Sequence, residues 1–158
     1  MNLIGTDDFI IAIPTFDALD LLANSDIFQS WLTDNPTKQI VIVDVVRLFL
    51  GERISDTAEL RAVNNFLENF ADRIVFQRTE YGKLIETAVD DSEFAFPPET
   101  WDLSIISYCK FVTGNTIGMP VFCIIEDDWF EMHAGIDIDS VKMIPVSWFL
   151  AELGNIGL

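Results

Sequence analysis

The sequence predicts an α/β fold, a three-layer α/β/α sandwich around a central, mostly parallel sheet of about five strands. Three observations lead there. Five short runs rich in Ile, Val and Phe are apolar on both faces, as strands covered by helices on each side must be. Helix-spaced apolar residues lie between them, and strands alternating with helices along one chain pair in parallel through right-handed crossovers. The chain is 158 residues long. That is one domain's worth, able to bury about 68–70% of its unfolded surface without a disulfide or zinc staple.

The expected strands are Phe9 to Ile13, Gln39 to Val43, Ile74 to Gln77, Val121 to Ile125 and Val141 to Ile144. Between Asp56 and Phe70 the residues Leu60, Val63, Leu67 and Phe70 recur at helical spacing, with Ser55 or Asp56 placed to cap the start. Thr100 is expected to cap a second helix running to about Thr113, with Leu103, Ile106 and Tyr108 facing inward. Gly114, Asn115 and Gly118 end it. The acidic stretch Asp90 to Glu99, with Pro97 and Pro98, reads as a surface loop inside the domain. No repeat divides the chain, so residues 1–158 are expected to form a single domain. Ligands of such sheets bind beyond the carboxyl ends of the strands, where the strand order reverses.

Composition narrows the function. Half the residues are apolar or aromatic, which excludes intrinsic disorder. There are 26 acidic and 9 basic residues, a net charge of -17. Such a chain repels phosphate, so electrostatic binding to nucleic acid or an anionic membrane is not expected. Up to Lys83 there are 13 acids and 7 bases, and beyond it 13 acids and 2 bases. Cys109 and Cys123 sit in apolar runs without close-spaced partners and read as buried free thiols in a reducing compartment. Asp7 and Asp8 stand where a signal peptide would be basic, and no apolar run approaches the ~18 residues of a membrane span. The expected location is cytoplasmic, with no membrane association.

The chemistry available is carboxylate chemistry. A nucleophile elbow, a Walker loop, a dinucleotide fingerprint and a zinc-binding His pair are all missing. Gly114 to Gly118 follows a helix and reads as a turn. His133, the one histidine, reads as a surface residue. Asp137 and Asp139 alternate near Gly135 but lack the glycine and distal glutamate of a calcium loop. Hard cations such as Mg²⁺ and Mn²⁺ are held by carboxylate and water oxygens, and phosphodiester-cutting sites need several acids converging from different strands. The acids placed at strand or helix ends are Asp17, Asp44, Asp102, Asp127 and Asp128. For Asp44 and Asp102 the competing use is helix capping.

Four segments in this order resemble the PIN-domain family of small metal-dependent ribonucleases, which includes bacterial toxin components. Ile10 to Leu22, IIAIPTFDALDLL, is similar to the family's opening strand and turn. Val41 to Leu50, VIVDVVRLFL, resembles the strand and helix carrying its glutamate. Glu99 to Lys110, ETWDLSIISYCK, resembles the helix that opens with its central aspartate. Val121 to Phe130, VFCIIEDDWF, resembles the strand ending in acids before an aromatic residue. Val141 to Leu153 is similar to the last strand and helix, so the resemblance covers nearly the whole chain.

The departures are as informative as the matches. Pro14 stands where the family has its first aspartate, and Phe49 where it has its glutamate. Asp102 carries over as the central acid and Asp127 or Asp128 as the strand-end acid, with Glu126 or Ile125 in place of the usual threonine. The resemblance therefore implies a degenerate site, and the expectation is a non-catalytic binding or assembly module whose old cleft is partly filled by Phe49. The alternative is a Mg- or Mn-dependent, toxin-like ribonuclease with Asp102 and Asp127 catalytic. In it Asp102, Asp127, Asp128, Asp44 and Asp17 form a rebuilt metal site, and RNA is the substrate only if that site functions. A further alternative is an acidic nucleic-acid mimic or a cover for a basic partner. A protein partner is expected, and a homo-oligomer is consistent with the composition. Trp129, Phe130, Trp148 and Phe149 are candidates for a partner interface, with at least two of them used in the core. A second alignment takes Val41 to Asp44 as the first strand and Glu80 as the missing glutamate. It restores four acids but leaves some forty N-terminal residues outside the fold.

Overall fold

The computed structural model describes residues 9–52, 58, 60–91, 93–115, 119–132 and 141–156. Its centre is a five-stranded sheet of β1 (Ile10–Ile13), β2 (Gln39–Val43), β3 (Ile74–Gln77), β4 (Val121–Ile125) and β5 (Val141–Pro145). The order is β3-β2-β1-β4-β5 and every pair is parallel. Around it lie α1 (Phe16–Ala23), α2 (Asp26–Asp34), α3 (Asp44–Glu52), α4 (Arg61–Asn69), α5 (Glu80–Ala88), α6 (Thr100–Thr113), α7 (Asp127–Met132) and α8 (Val146–Ile156). The expected three-layer α/β/α architecture is the one found.

The two-residue alternation of each strand builds two cores. On one face Phe9, Ile11, Ile13, Ile40, Ile42, Phe122, Ile124 and Ile144 pack against residues of α1, α2, α4 and α8. Phe28, fully buried in α2, is the hub there. Its ring stacks on Trp31 and Phe66 and meets Phe149 edge-on. On the other face Ile10, Ala12, Val121, Cys123 and Ile125 pack against Ile105, Tyr108, Cys109 and Val112 of α6. Cys109 and Cys123 are both buried free thiols. Burial pushes the Cys109 thiol up to about 12 and the Cys123 thiol well above its usual value, so both stay protonated and unreactive.

The strand boundaries agree with the sequence pattern except that β1 begins at Ile10 and β5 extends to Pro145. Other details differ. Ser55 and Asp56 lie outside the described residues, and α4 begins at Arg61 after Leu60, which offers no side-chain cap. Thr100 does not cap α6 but is its first residue. Its Oγ1 donates to the Pro97 carbonyl at 2.6 Å, fixing the proline turn to the helix start. Ile105 rather than Ile106 faces the core, and Ile106 is 43% exposed. Helices α2 and α5 start at Ser25 and Thr79, whose hydroxyls accept the N–H groups of Phe28 and Gly82 at 3.2 and 3.0 Å. Phe149 is in the core, Trp129 and Phe130 are half-buried against the second core, and Trp148 is 37% exposed.

The alignment that begins the fold at Val41 fails, because β1 is the central strand and pairs on both sides. His133, Gly118, Asp137 and Asp139 lie outside the described residues. No helix among the described residues is long and apolar enough to cross a membrane. Replacing Phe28 with Ala leaves a cavity between three aromatic rings, and the expected cost is about 3–5 kcal/mol, measured by urea denaturation.

Candidate functional site

The chain turns back on itself between β1 and β4. From β1 the connections lead to β2 and β3 on one side, whereas β4 and β5 extend the sheet on the other. The carboxyl ends of β1 and β4 are therefore the point where the strand order reverses, the place where such sheets bind their ligands.

Three side chains meet at this point. Thr15 follows β1 and caps α1, its Oγ1 accepting the Ala18 N–H at 3.2 Å. Glu126 follows β4, and its Oε1 accepts from the Thr15 hydroxyl and from the Ala18 N–H, the latter at 3.1 Å. Ser104 of α6 is fully buried and donates through Oγ to the Pro14 carbonyl at 2.7 Å. Thus the ends of β1 and β4 and the first turn of α6 are joined by hydrogen bonds over long separations in sequence.

Glu126 titrates abnormally. Burial raises its pKa most, and the nearby Asp17 carboxylate raises it further, while the bonds from Thr15 and from backbone N–H groups oppose the shift. Asp17 itself is exposed on the first turn of α1.

The five expected acids are held in different places. Asp44 opens α3, but its carboxylate reaches α5, accepting the Thr79 hydroxyl at 2.8 Å and the Thr79 N–H at 3.0 Å. Gly82, one turn into α5, is packed so closely against that carboxylate that any side-chain carbon there would overlap it. Asp102, in the first turn of α6, accepts from the Trp129 indole N–H. Asp127 accepts the Ser147 N–H at 3.1 Å and so ties the start of α7 to the start of α8. Asp128 is exposed on α7. Among the described residues, no three His, Cys, Asp or Glu side chains come together as a group able to hold a metal ion.

Phe49 on α3 is half-buried. Its ring meets Phe16, Phe96 and Trp101 edge-on, with centroids 5.1, 5.4 and 5.2 Å away, and Phe94 continues the cluster through Phe96 at 4.9 Å. The acidic loop before α6 thus contributes two rings to the packing around Phe49.

Glu126, set by the sequence analysis in place of the usual threonine, is the acid that bonds Thr15 and Ala18 beyond β1, while Asp127 and Asp128 open α7. Its local sign is the end of the apolar run. β4 is buried through Ile125, so the next residue is the first beyond the strand. Ser104 was not singled out, since an isolated serine within an apolar helix carries no local mark.

Two outcomes follow. A carboxyl whose folded pKa is raised favours folding when protonated, and that contribution is lost as pH rises through the folded value. Glu126→Gln keeps the acceptor oxygen and removes the charge. It is therefore expected to gain stability relative to the parent progressively above the ordinary carboxylate range, measured by urea denaturation across pH. Gly82→Ala is expected to cost about 1–3 kcal/mol through overpacking. Most of that cost should vanish in an Asp44→Ala background, a coupling that a double-mutant cycle reads.

No family model matches the chain, and no curated protein does. Among solved structures, the chain is similar to one described as the crystal structure of VapBC2 from Rickettsia felis bound to a DNA fragment from their promoter. The match has 16% identity and a TM-score of 0.49, and it covers 86% of this chain and 98% of the other.

Proposed function

We propose that the chain is a single PIN-like domain serving as a non-catalytic binding or assembly module, cytoplasmic and working through a protein partner. The observation that carries this reading is the environment of Phe49. At the position that resembles a metal-binding glutamate, a phenyl ring is packed against three other rings. Pro14, at the position resembling the first aspartate, contributes only its carbonyl, and that is bonded to Ser104.

The remaining acids fit a divalent ion poorly. Mg²⁺ and Mn²⁺ need several carboxylate and water oxygens around one point. Here Asp44, Asp102 and Asp127 each hold a different structural element, to Thr79, Trp129 and Ser147 respectively. Half-buried rings at Phe16, Phe49, Phe94, Phe96 and Trp101 suit a protein surface better than a phosphodiester. A net charge of -17 favours a partner with a basic face.

One observation favours the second reading, a Mg- or Mn-dependent ribonuclease. The Asp17 carboxylate helps raise the pKa of Glu126 beyond the ends of β1 and β4, and neighbouring carboxylates of this kind are raw material for a metal site. Calorimetric titration with Mn²⁺, together with cleavage assays on varied RNAs, separates the two. The module reading expects no saturable Mn²⁺ binding at micromolar concentration and equal inertness of the parent and Asp102→Asn. Stoichiometric Mn²⁺ binding with turnover that Asp102→Asn abolishes overturns it.

A further inference from the structure

A concavity lies away from the ends of β1 and β4, formed by α3, α5 and the end of β3. Its volume is about 540 Å³. Two of the nine basic residues of the chain, Arg47 and Arg78, line it. Asp44 and Glu86 line it too, so the groove is locally neutral within a chain of net charge -17, and its guanidinium groups are where an anion finds charged donors.

We propose that this groove binds a small amphipathic monocarboxylate, its carboxylate held by Arg47 and Arg78 and its apolar body laid on Phe76, Leu48 and Val89. Arg47 is set for the task. Its guanidinium lies 5.2 Å from the centroid of the Phe76 ring, and stacking of this kind restrains the planar group while leaving its edge N–H donors available. Arg78 meets Glu86 at 3.2 Å, but the two side chains are 66% and 58% exposed. A pair that open to water holds its members weakly, and a guanidinium with five donors can take a carboxylate as well.

The apolar half of the ligand is set by the floor of the groove, where Leu48, Phe76 and Val89 are all half-buried and so present surface. Gly51 adds room, since no atom of the described residues lies within 4 Å of where its side chain would begin. The charge of the ligand is set by the acids. Asp44 and Glu86 also line the groove, so each added negative charge on the ligand meets repulsion. Because the two arginines and the two acids balance, one carboxylate is taken for its fit to the guanidinium donors, whereas a phosphate dianion brings a second charge that nothing there offsets. This site does not depend on whether the residues at the ends of β1 and β4 are catalytic.

The test is a titration of the full chain followed through its backbone amide NMR signals, with sodium benzoate as the probe. Benzylamine, with the same ring and opposite charge, and inorganic phosphate at about pH 8, where it is a dianion, are run beside it. Benzoate is expected to give saturable shifts at Leu48, Gly51, Phe76 and Val89, while benzylamine gives none there and phosphate binds more weakly. Arg47→Ala and Arg78→Ala should each weaken benzoate roughly tenfold, as loss of a charged hydrogen-bond partner does. Glu86→Gln, which frees Arg78 and removes a repelling charge, should tighten it roughly two- to fivefold. Should Arg47→Ala fail to fold, Arg47→Lys keeps the charge but not the planar fork, and a loss smaller than tenfold but measurable is expected. Absent saturation with benzoate, affinity unchanged in the arginine variants, or tighter binding of phosphate or benzylamine overturns the proposal.

Discussion

The bond between Thr15 and Glu126 closes the structure at its topological centre. β1 and β4 are neighbours in the sheet, yet their ends are 111 residues apart in the chain. A parallel pair at a switch point has no turn of its own to fix its ends, so a side-chain bond must do it. Glu126 does it twice, through the Thr15 hydroxyl and through the Ala18 N–H of α1, which it shares with Thr15 Oγ1. A carboxylate at a helix start is favoured by the unsatisfied N–H groups there, which partly offsets the cost of burying it. Around this bond the chain sets the first turn of α6 by Ser104 and the packing of α3 by Phe16 and Phe49.

The acids of the chain divide accordingly. Most are surface charge, but a few serve as internal acceptors that lock one helix start to another element. Asp44 joins α3 to α5, Asp127 joins α7 to α8, and Asp102 joins α6 to the indole of α7. Each exploits the same chemistry, a short acidic side chain next to a donor that the fold leaves without a backbone partner. An acid employed this way is not available as a ligand without releasing the element that it holds. This is why, in a chain with 26 acidic residues, the described ones form no group of three able to hold a metal ion.

How much of this was legible beforehand depended on the range of the interactions. Gln39–Val43 announces itself, because apolar β-branched residues on both faces have one use in an α/β sheet. Ile74–Gln77 instead forms the sheet edge with Val75 exposed, and so is not covered on both faces as its pattern suggested. Thr100 was misassigned as a cap because the proline turn before it, with which its hydroxyl bonds, shifts the helix start by one residue. Site residues were harder. Asp102 and Asp127 stand at the right element ends, but their partners, Trp129 and Ser147, lie in other elements, and no local pattern reveals a partner. Glu126 stands between the end of β4 and the start of α7, and its partners Thr15 and Ala18 lie more than a hundred residues earlier, so its bonds could not be read locally.

The placement of β1 has a consequence for how the chain is made. β1 is synthesised first and sits in the middle of the finished sheet, with β2 and β3 on one side and β4 and β5 on the other. On emerging from the ribosome, residues up to α5 can assemble a three-stranded half sheet, with the second edge of β1 bare. That edge belongs to Ile10, Ile11 and Ala12, which pair with β4 only after residue 121 has been added. For the time needed to translate that interval, at about 5–20 residues per second, a buried strand presents unpaired N–H and C=O groups to any other chain. Nascent and truncated forms are therefore the states in which the β1 edge is open to pairing with another chain.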